Sequence, residues 1–347
     1  MPTAIKPSDY KLIVKRIGEK LCVPFLGAGV NVSSGNYKGL PLAYDLALHM
    51  VKDLTSLNEK QLEELTKKAS DDVRLRLAQA IKGLDEQQMR NLTEENIEQS
   101  LKEAGDLPNL LRATLPDLAR IALHVEVDTD FKNLMKLVHE VLPDAEYQPS
   151  PLLQVLASLP FQLIVTANYD RLLERAFGDK PYELVVQPIN GFAEQDQKLQ
   201  NQLSAPKGTI IYKIHGSFSD NGSPVAAQED NRLILTEEDY IQFLSIVGRK
   251  DVGVPTLISD KMINGTILFL GYSLQDWDFR TIYKTLIEPL PERQRPKSFA
   301  IQKNPPDFWV RYWENKKVTI LDVDLYEFAA KLQTYWQEAE NKESRRD

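Results

Sequence analysis

The sequence contains very little cysteine and histidine. One cysteine, Cys22, and four histidines occur in 347 residues. A single cysteine cannot form an internal disulfide or a zinc cage, which excludes a disulfide-stapled secreted scaffold, a zinc ribbon and a CxxC redox centre. Three of the histidines, His49, His124 and His139, fall at unrelated positions, so no histidine metal cluster is expected. We therefore expect a cytoplasmic protein whose chemistry uses no metal.

Long apolar runs and excess positive charge are also missing. No stretch approaches the roughly 18 apolar residues that suggest a membrane-spanning helix. Lys6, Lys11, Lys15 and Arg16 interrupt the N-terminal segment, which therefore lacks the apolar centre of a secretory signal. The 42 Lys and Arg against 50 Asp and Glu give a net charge of −8, which argues against a surface devoted to nucleic-acid phosphates. We expect no membrane contact and no direct nucleic-acid binding.

Short apolar runs alternate with helical patterns over most of the chain. Hydrophobic residues make up 42% of it, enough for a sizeable core. The runs predict strands over residues 21–26, 161–165, 184–186, 209–214, 232–235, 266–270, 298–301 and 318–323. Helical spacing occurs between several of them, at residues 152–159, 171–177, 239–247, 276–287 and 325–338. This alternation indicates an α/β fold, with a mostly parallel sheet and helices on both faces.

The region after the first predicted strand has a different pattern. From residue 42 to about 141 the apolar residues recur at helical spacing. We expect residues 42–148 to form an α-helical insertion in a domain made of residues 1–41 and 149–340. Residues 341–347 are charged and are expected to form a frayed tail.

Two predicted strands end in glycine turns, at the edge where open parallel sheets bind ligands. The Gly-Ala-Gly sequence at residues 27–29 would let the backbone approach a pyrophosphate, and it also suits a plain turn. Gly271 likewise permits close approach after residues 266–270, and Ser273 offers a hydroxyl. The alternative there is a strand, a glycine turn and a helix capped by Asp276.

Two other strand ends carry side chains that suit catalysis. Asn168 and Asp170 place an amide and a carboxylate where the chain turns from a strand into a helix. Either residue also suits the cap of that helix. His215 follows the strand at residues 209–214, and because histidine titrates near neutral pH it is the best candidate for a general base. A partly buried histidine with a structural role is the alternative.

In order and spacing, these strand ends resemble the sirtuin-like family of NAD-binding domains, specifically a bacterial branch that lacks the deacetylase zinc module. The resemblance covers about residues 21–330. It rests on four sequence elements, Gly27-Ala28-Gly29-Val30-Asn31-Val32-Ser33, Thr166-Ala167-Asn168-Tyr169-Asp170, Lys213-Ile214-His215-Gly216 and Phe269-Leu270-Gly271-Tyr272-Ser273-Leu274. It implies a Rossmann-like domain that binds NAD⁺ as its substrate, with the helical insertion in place of the sirtuin small domain.

The resemblance also implies roles for individual residues. Asn168 would hold the ribose hydroxyls or the attacking water, and His215 would be the general base. The residues expected to contact NAD⁺ are Gly27, Ala28, Gly29, Asn31, Ser33, Thr166, Asp170, Gly271 and Ser273. The glycine turn at residues 27–29 would hold the pyrophosphate, Asp170 would face the nicotinamide ribose, and the last two would lie along the adenosine half. The choice between NAD⁺ and NADP⁺ stays open.

Departures from the sirtuin pattern favour NAD⁺ cleavage over deacylation. Ala167 replaces a glutamine, no Asp-Phe-Arg follows Gly39-Leu40-Pro41, and the zinc staple of a peptide groove cannot exist. The resemblance therefore implies an NAD⁺ hydrolase that yields ADP-ribose and nicotinamide and serves as an effector of antiviral abortive infection. A protein deacylase or ADP-ribosyltransferase is the alternative enzyme, and a non-catalytic nucleotide-binding module is the alternative outside catalysis. A nuclease has no metal-ligand cluster to support it.

Effectors of this kind also imply partners. Because no sensor domain is visible beyond the helical block, we expect a separate sensor or a hexameric translocase ATPase subunit. Self-association into a homo-oligomer is expected as well.

Overall fold

A single parallel sheet organises the protein in the computed structural model. The structure describes residues 3–343 apart from 44, 48, 51–117, 193–196, 220–231, 250, 273, 275–276 and 289–293. The strands are β1 Thr3–Ala4, β2 Cys22–Leu26, β3 Leu163–Thr166, β4 Tyr182–Val186, β5 Thr209–Lys213, β6 Thr266–Leu270, β7 Ser298–Gln302 and β8 Val318–Asp322. Their order is β1-β8-β7-β6-β2-β3-β5-β4, and every neighbouring pair is parallel. The predicted α/β fold is confirmed.

Helices connect these strands. They are α1 Pro7–Gly18, α2 Leu118–Asp128, α3 Phe131–Val141, α4 Pro151–Ser158, α5 Leu172–Phe177, α6 Gln197–Ser204, α7 Glu237–Ile246, α8 Thr256–Asn264, α9 Trp277–Ile282, α10 Asp307–Glu314 and α11 Leu325–Glu343. A four-residue 3₁₀ turn, Ala28–Asn31, follows β2, and a π-helical turn, Tyr283–Ile287, continues α9.

The strand order reverses direction at the end of β2. From β2 the chain proceeds to β3, β4 and β5 on one side, and then to β6, β7 and β8 on the other. The connections after β2 and β6 therefore proceed to opposite sides of the sheet, which defines the topological switch point at which Rossmann-like folds bind ligands. Every residue of β2 and β6 is buried, which fits strands covered by helices on both faces.

Three hydrophobic clusters stabilise this arrangement. One lies between the sheet and the helices α1, α4, α5 and α11, and the second lies between the sheet and α6 to α10. The third joins α2 and α3 to Leu46, Met50, Phe218, Leu233 and Leu235. Residues from beyond the end of β5 thus share a core with the helices of the proposed insertion.

The predicted elements agree with the structure apart from a few corrections. The strand prediction at 232–235 is wrong, because these residues form an irregular buried segment. The frayed tail is wrong for residues 341–343, which continue α11, and the predicted helix at 276–287 changes to a π-helical turn at Tyr283. The prediction missed β1, α1, α6, α8 and α10. Within the predicted insertion, the described residues at 43–50 and 118–141 are largely helical. Residues 51–117 and 344–347 lie outside the described residues. The division into domains therefore stays a prediction.

Candidate active site

The sheet register places the predicted catalytic residues at equivalent positions of neighbouring strands. Thr166, the last residue of β3, pairs with Lys213, the last residue of β5. Asn168 and His215 therefore each lie two residues beyond the same level of the sheet. Neighbouring strands are roughly 4.8 Å apart, so the two loops leave the sheet side by side.

Short polar contacts fix the backbone around Asn168. Its amide donates to the Thr166 hydroxyl at 3.1 Å, and its side-chain nitrogen donates to the Gly27 carbonyl at 3.3 Å. The second bond connects the loop after β3 to the loop after β2. Thr166, predicted to contact NAD⁺, is buried and supports Asn168 from within the sheet edge.

His215 is enclosed by protein. Its side chain meets the rings of Tyr240 and Phe243, both on α7, in edge-to-face geometry at 5.4 and 5.5 Å. Only 3% of the residue is exposed, and burial lowers the pKa of His215 to about 3, so the imidazole is neutral at pH 7. Its Nε2 atom is buried without a hydrogen-bond partner. A buried nitrogen in this state is costly unless another group, such as a substrate or water, satisfies it.

Asp170 pairs with another residue of the predicted site, Asn31. The Asn31 side chain donates to the Asp170 carboxylate at 3.3 Å, and the Leu172 amide at the start of α5 donates to the other oxygen at 3.0 Å. Burial raises the pKa of Asp170 to about 6, although the nearby Lys213 ammonium opposes the rise. The side-chain oxygen of Asn31 is buried and has no partner. Asp170 thus accepts a hydrogen bond from the first turn of α5, and its contact with NAD⁺ stays a prediction.

Lys213, which is not among the predicted site residues, is buried next to the loop that carries Asn168. Its side chain is fully buried, and its ammonium donates to the carbonyls of Tyr169 and Asp170 and to Glu174 at 3.0 Å. The two carbonyl bonds link the end of β5 to the loop after β3, which carries Asn168, and the ion pair with Glu174 links it to α5. A lysine within an otherwise apolar strand was the signal that could have revealed it, since a buried charge requires partners.

Gly27, Gly29 and Gly271 allow the loop after β2 to pack closely against the loop after β6. The Gly27 amide donates to Leu270 at 3.0 Å, and the Gly29 amide donates to Gly271 at 2.9 Å. A Cβ on Gly29 would lie 2.8 Å from the Gly271 carbonyl oxygen. These two amides are engaged within the protein, and Ala28 between them is exposed. A pyrophosphate role for the turn stays a prediction.

The remaining predicted residues have separate surroundings. The exposed Ser33 accepts a hydrogen bond from the Gly39 amide at 2.8 Å. Gly271 has a positive φ of 67°, in the left-handed region that favours glycine. Ser273 and the alternative helix cap Asp276 lie outside the described residues. Among the described residues, no group of three or more His, Cys, Asp or Glu could hold a metal ion.

Comparison with known families identifies the part of the chain that holds most of these residues. The SIR2-like domain family matches residues 162–321, which include β3 to β7 and nearly all of β8. Residues 162–321 are therefore similar to a SIR2-like domain. The resemblance stated from the strand-end residues is confirmed at this level.

Curated relatives match only part of this chain. The "NAD(+) hydrolase ThsA" of Enterococcus faecium is 30% identical over 153 residues, which are 43% of this chain and 27% of the relative. The protein of the same name from Cytobacillus dafuensis is 28% identical over 182 residues, 52% of this chain and 33% of the relative. The matched regions thus span about a third of those relatives or less. This is distant homology.

A solved structure described as "Structural Basis for the Mechanism and Regulation of Sir2 Enzymes" aligns with 97% of this chain and all of its own, at 10% identity and a TM-score of 0.40.

Within the described part of this chain, no helix has the length and apolar character needed to cross a membrane.

Proposed function

We propose that this protein is an NAD⁺ hydrolase that cleaves the nicotinamide–ribose bond and depletes cytoplasmic NAD⁺ as the effector of an antiviral abortive-infection response. The SIR2-like domain and the partial similarity to NAD(+) hydrolases support the proposal. The observation that carries it is the equivalent placement of Asn168 and His215 beyond neighbouring strands, with the His215 Nε2 atom unpartnered.

The proposed reaction adds water to the anomeric carbon of the ribose. As the bond to nicotinamide breaks, its electron pair leaves with the ring nitrogen, and the sugar takes on oxocarbenium character. Asn168 would orient the water or the ribose hydroxyls by hydrogen bonds that fix the attack geometry. The water oxygen bonds to the carbon, and its proton passes first to His215 and then to solvent. The products are ADP-ribose, nicotinamide and a proton.

The low pKa of His215 is compatible with this role. With a pKa of about 3 the ring is a weak base, but it is neutral and able to accept a proton. Water becomes strongly acidic once it carries positive charge from bonding to the sugar. A weak base therefore suffices at that stage, and burial protects the ring from unproductive protonation.

The proposal includes the residues around NAD⁺, the helical module and the partners that control the enzyme. Residues 27–29, Asn31, Asp170 and Gly271 would surround NAD⁺, and no metal takes part. Residues 42–148 would form a helical module inserted into the Rossmann-like domain. A homo-oligomer and a separate sensor or ATPase subunit would control the enzyme.

Incubation of the full chain with NAD⁺, with and without candidate partner proteins, tests the activity. The proposal predicts release of nicotinamide and ADP-ribose in equal amounts without any peptide. Strict dependence on an acyl-lysine peptide would favour a deacylase, and transfer of ADP-ribose to protein would favour a transferase. Binding of NAD⁺ without turnover under every condition would favour a non-catalytic module.

A further inference from the structure

A short irregular segment connects the two loops that carry the proposed catalytic residues. We call residues 232–236 the bridging segment. The Ile234 amide donates to the His215 carbonyl at 3.0 Å, and the Ile234 carbonyl accepts from the Tyr169 hydroxyl at 2.6 Å. Tyr169 directly follows Asn168. Ile234 therefore contacts both loops: its amide bonds to the loop that carries His215, and its carbonyl bonds to the loop that carries Asn168.

Apolar side chains connect the bridging segment to the helices α2 and α3. Leu233 and Leu235 are buried in the same hydrophobic cluster as Val125 of α2 and Leu134 of α3. Phe218, three residues after His215, belongs to this cluster as well. A displacement of these helices would therefore move the segment that spans the two catalytic loops, because packed interiors transmit strain.

Arg232 anchors the bridging segment electrostatically. Its guanidinium donates two bonds to the Glu126 carboxylate of α2, at 2.9 and 2.5 Å, and lies over the Phe131 ring of α3 at 4.3 Å. Its Nε lies 2.6 Å from the buried carboxylate of Asp239, which accepts from the Thr236 amide at the start of α7. The bidentate pair between Arg232 and Glu126 fixes the orientation of the guanidinium as well as its distance from α2.

We infer that Arg232 is a positioning residue, which holds the bridging segment so that α2 and α3 set the alignment of the loops carrying Asn168 and His215. The inference rests on the proposed function for its catalytic consequence. Its structural part, the ordering of the two loops through Arg232, is independent of that function.

Arg232→Met in the full chain tests the inference, with Arg120→Met as the matched control. Arg120 of α2 forms an ion pair with Glu237 at the start of α7, at 3.0 Å, but its side chain is 65% exposed and the pair does not involve the bridging segment. Arg232→Met should lower kcat for nicotinamide release about 10- to 100-fold, because small misplacements of reacting groups are costly, while KM for NAD⁺ changes less than about threefold. Arg120→Met should leave both constants near their wild-type values.

Two further variants separate positioning from general loss of structure. Arg232→Lys keeps the charge without the planar fork and should recover part of the kcat lost in Arg232→Met. Tyr169→Phe removes only the hydroxyl that bonds Ile234, so it should lower kcat with unchanged KM even if Arg232→Met does not fold. Wild-type kcat in both folded Arg232→Met and Tyr169→Phe would overturn the inference.

Hydrogen–deuterium exchange provides a measurement that does not depend on activity. Peptides covering residues 167–171, 214–219 and 232–236 should exchange faster in Arg232→Met and Tyr169→Phe than in wild type, and at the wild-type rate in Arg120→Met. Unchanged exchange in the first two variants would overturn the inference. If the wild type releases no nicotinamide under any condition, the proposed function fails, whereas the exchange comparison still decides whether Arg232 orders the loops.

Discussion

Replacement of His215 by glutamine should make the stability of the protein less sensitive to acid. Burial lowers the pKa of His215 in the folded protein to about 3, from an ordinary value of 6.5. Between these pH values the unfolded chain binds a proton on this ring and the folded protein does not. The free energy of unfolding of the wild type therefore falls as pH decreases below 6.5, and the full effect of a pKa difference of about 3.5 is about 5 kcal/mol.

The most accessible part of this effect lies between pH 6.5 and about pH 4.5. Over that interval the unfolded ring changes from half protonated to almost fully protonated, which should lower the stability of the wild type relative to His215→Gln by about 2 kcal/mol. Urea denaturation of both proteins at both pH values measures the difference. His124→Gln, which removes an exposed histidine of α2, is the control for loss of a histidine. A difference between wild type and His215→Gln that does not vary with pH would refute the buried, neutral state of His215.

Three further substitutions test the supporting contacts. The pKa of Asp170 is raised from 3.8 to about 6, so the folded protein binds this proton more tightly than the unfolded chain does. As pH falls through this range, the wild type should therefore gain about 3 kcal/mol of stability relative to Asp170→Asn. Urea denaturation of both proteins at pH 7 and below pH 4 measures this gain, and a stability difference that does not change with pH would contradict the raised pKa. Gly271→Ala should lower the free energy of unfolding by about 2 kcal/mol in the same assay, because its Cβ would lie 2.2 Å from the Val30 nitrogen at a positive φ; wild-type stability would contradict this packing. Glu174→Gln should lower the free energy of unfolding by about 3 kcal/mol, since it removes the carboxylate that pairs with the buried Lys213 ammonium. A loss below about 1 kcal/mol would show that the Tyr169 and Asp170 carbonyls are enough to stabilise this ammonium.

The strands of the sheet could be predicted because buried parallel strands are short continuous apolar runs. Residues 266–270 agree with β6 at both ends, and residues 209–214 exceed β5 by one residue. The run at residues 232–235, three apolar residues after Arg232, forms no strand. Its leucines are buried between the end of β5 and the helices α2 and α3, and an apolar run shows that residues are buried without showing what they pack against.

The placement of Asn168 and His215 at one edge of the sheet could be predicted, because residues that follow neighbouring parallel strands come together at that edge. Asn168 and His215 are two residues beyond a register pair, a relation that strand ends make predictable. The groups that hold them could not be predicted, because they come from distant positions of the chain. Lys213 reaches Glu174 across 39 residues, and Tyr169 reaches Ile234 across 65. Sequence periodicity contains no information on such pairings.

Nicotinamide release by wild type, Asn168→Ala and His215→Ala is the most direct measurement of the central claim. The full chain is incubated with NAD⁺ under the condition that activates the wild type, and nicotinamide is quantified while circular dichroism confirms the fold. Asn168→Ala loses a single 3.3 Å hydrogen bond to Gly27 and is expected to stay folded. We expect the wild type to release nicotinamide and both variants to lose this activity. Near-wild-type turnover in either folded variant would contradict the role assigned to that residue, and in both it would refute the proposed site.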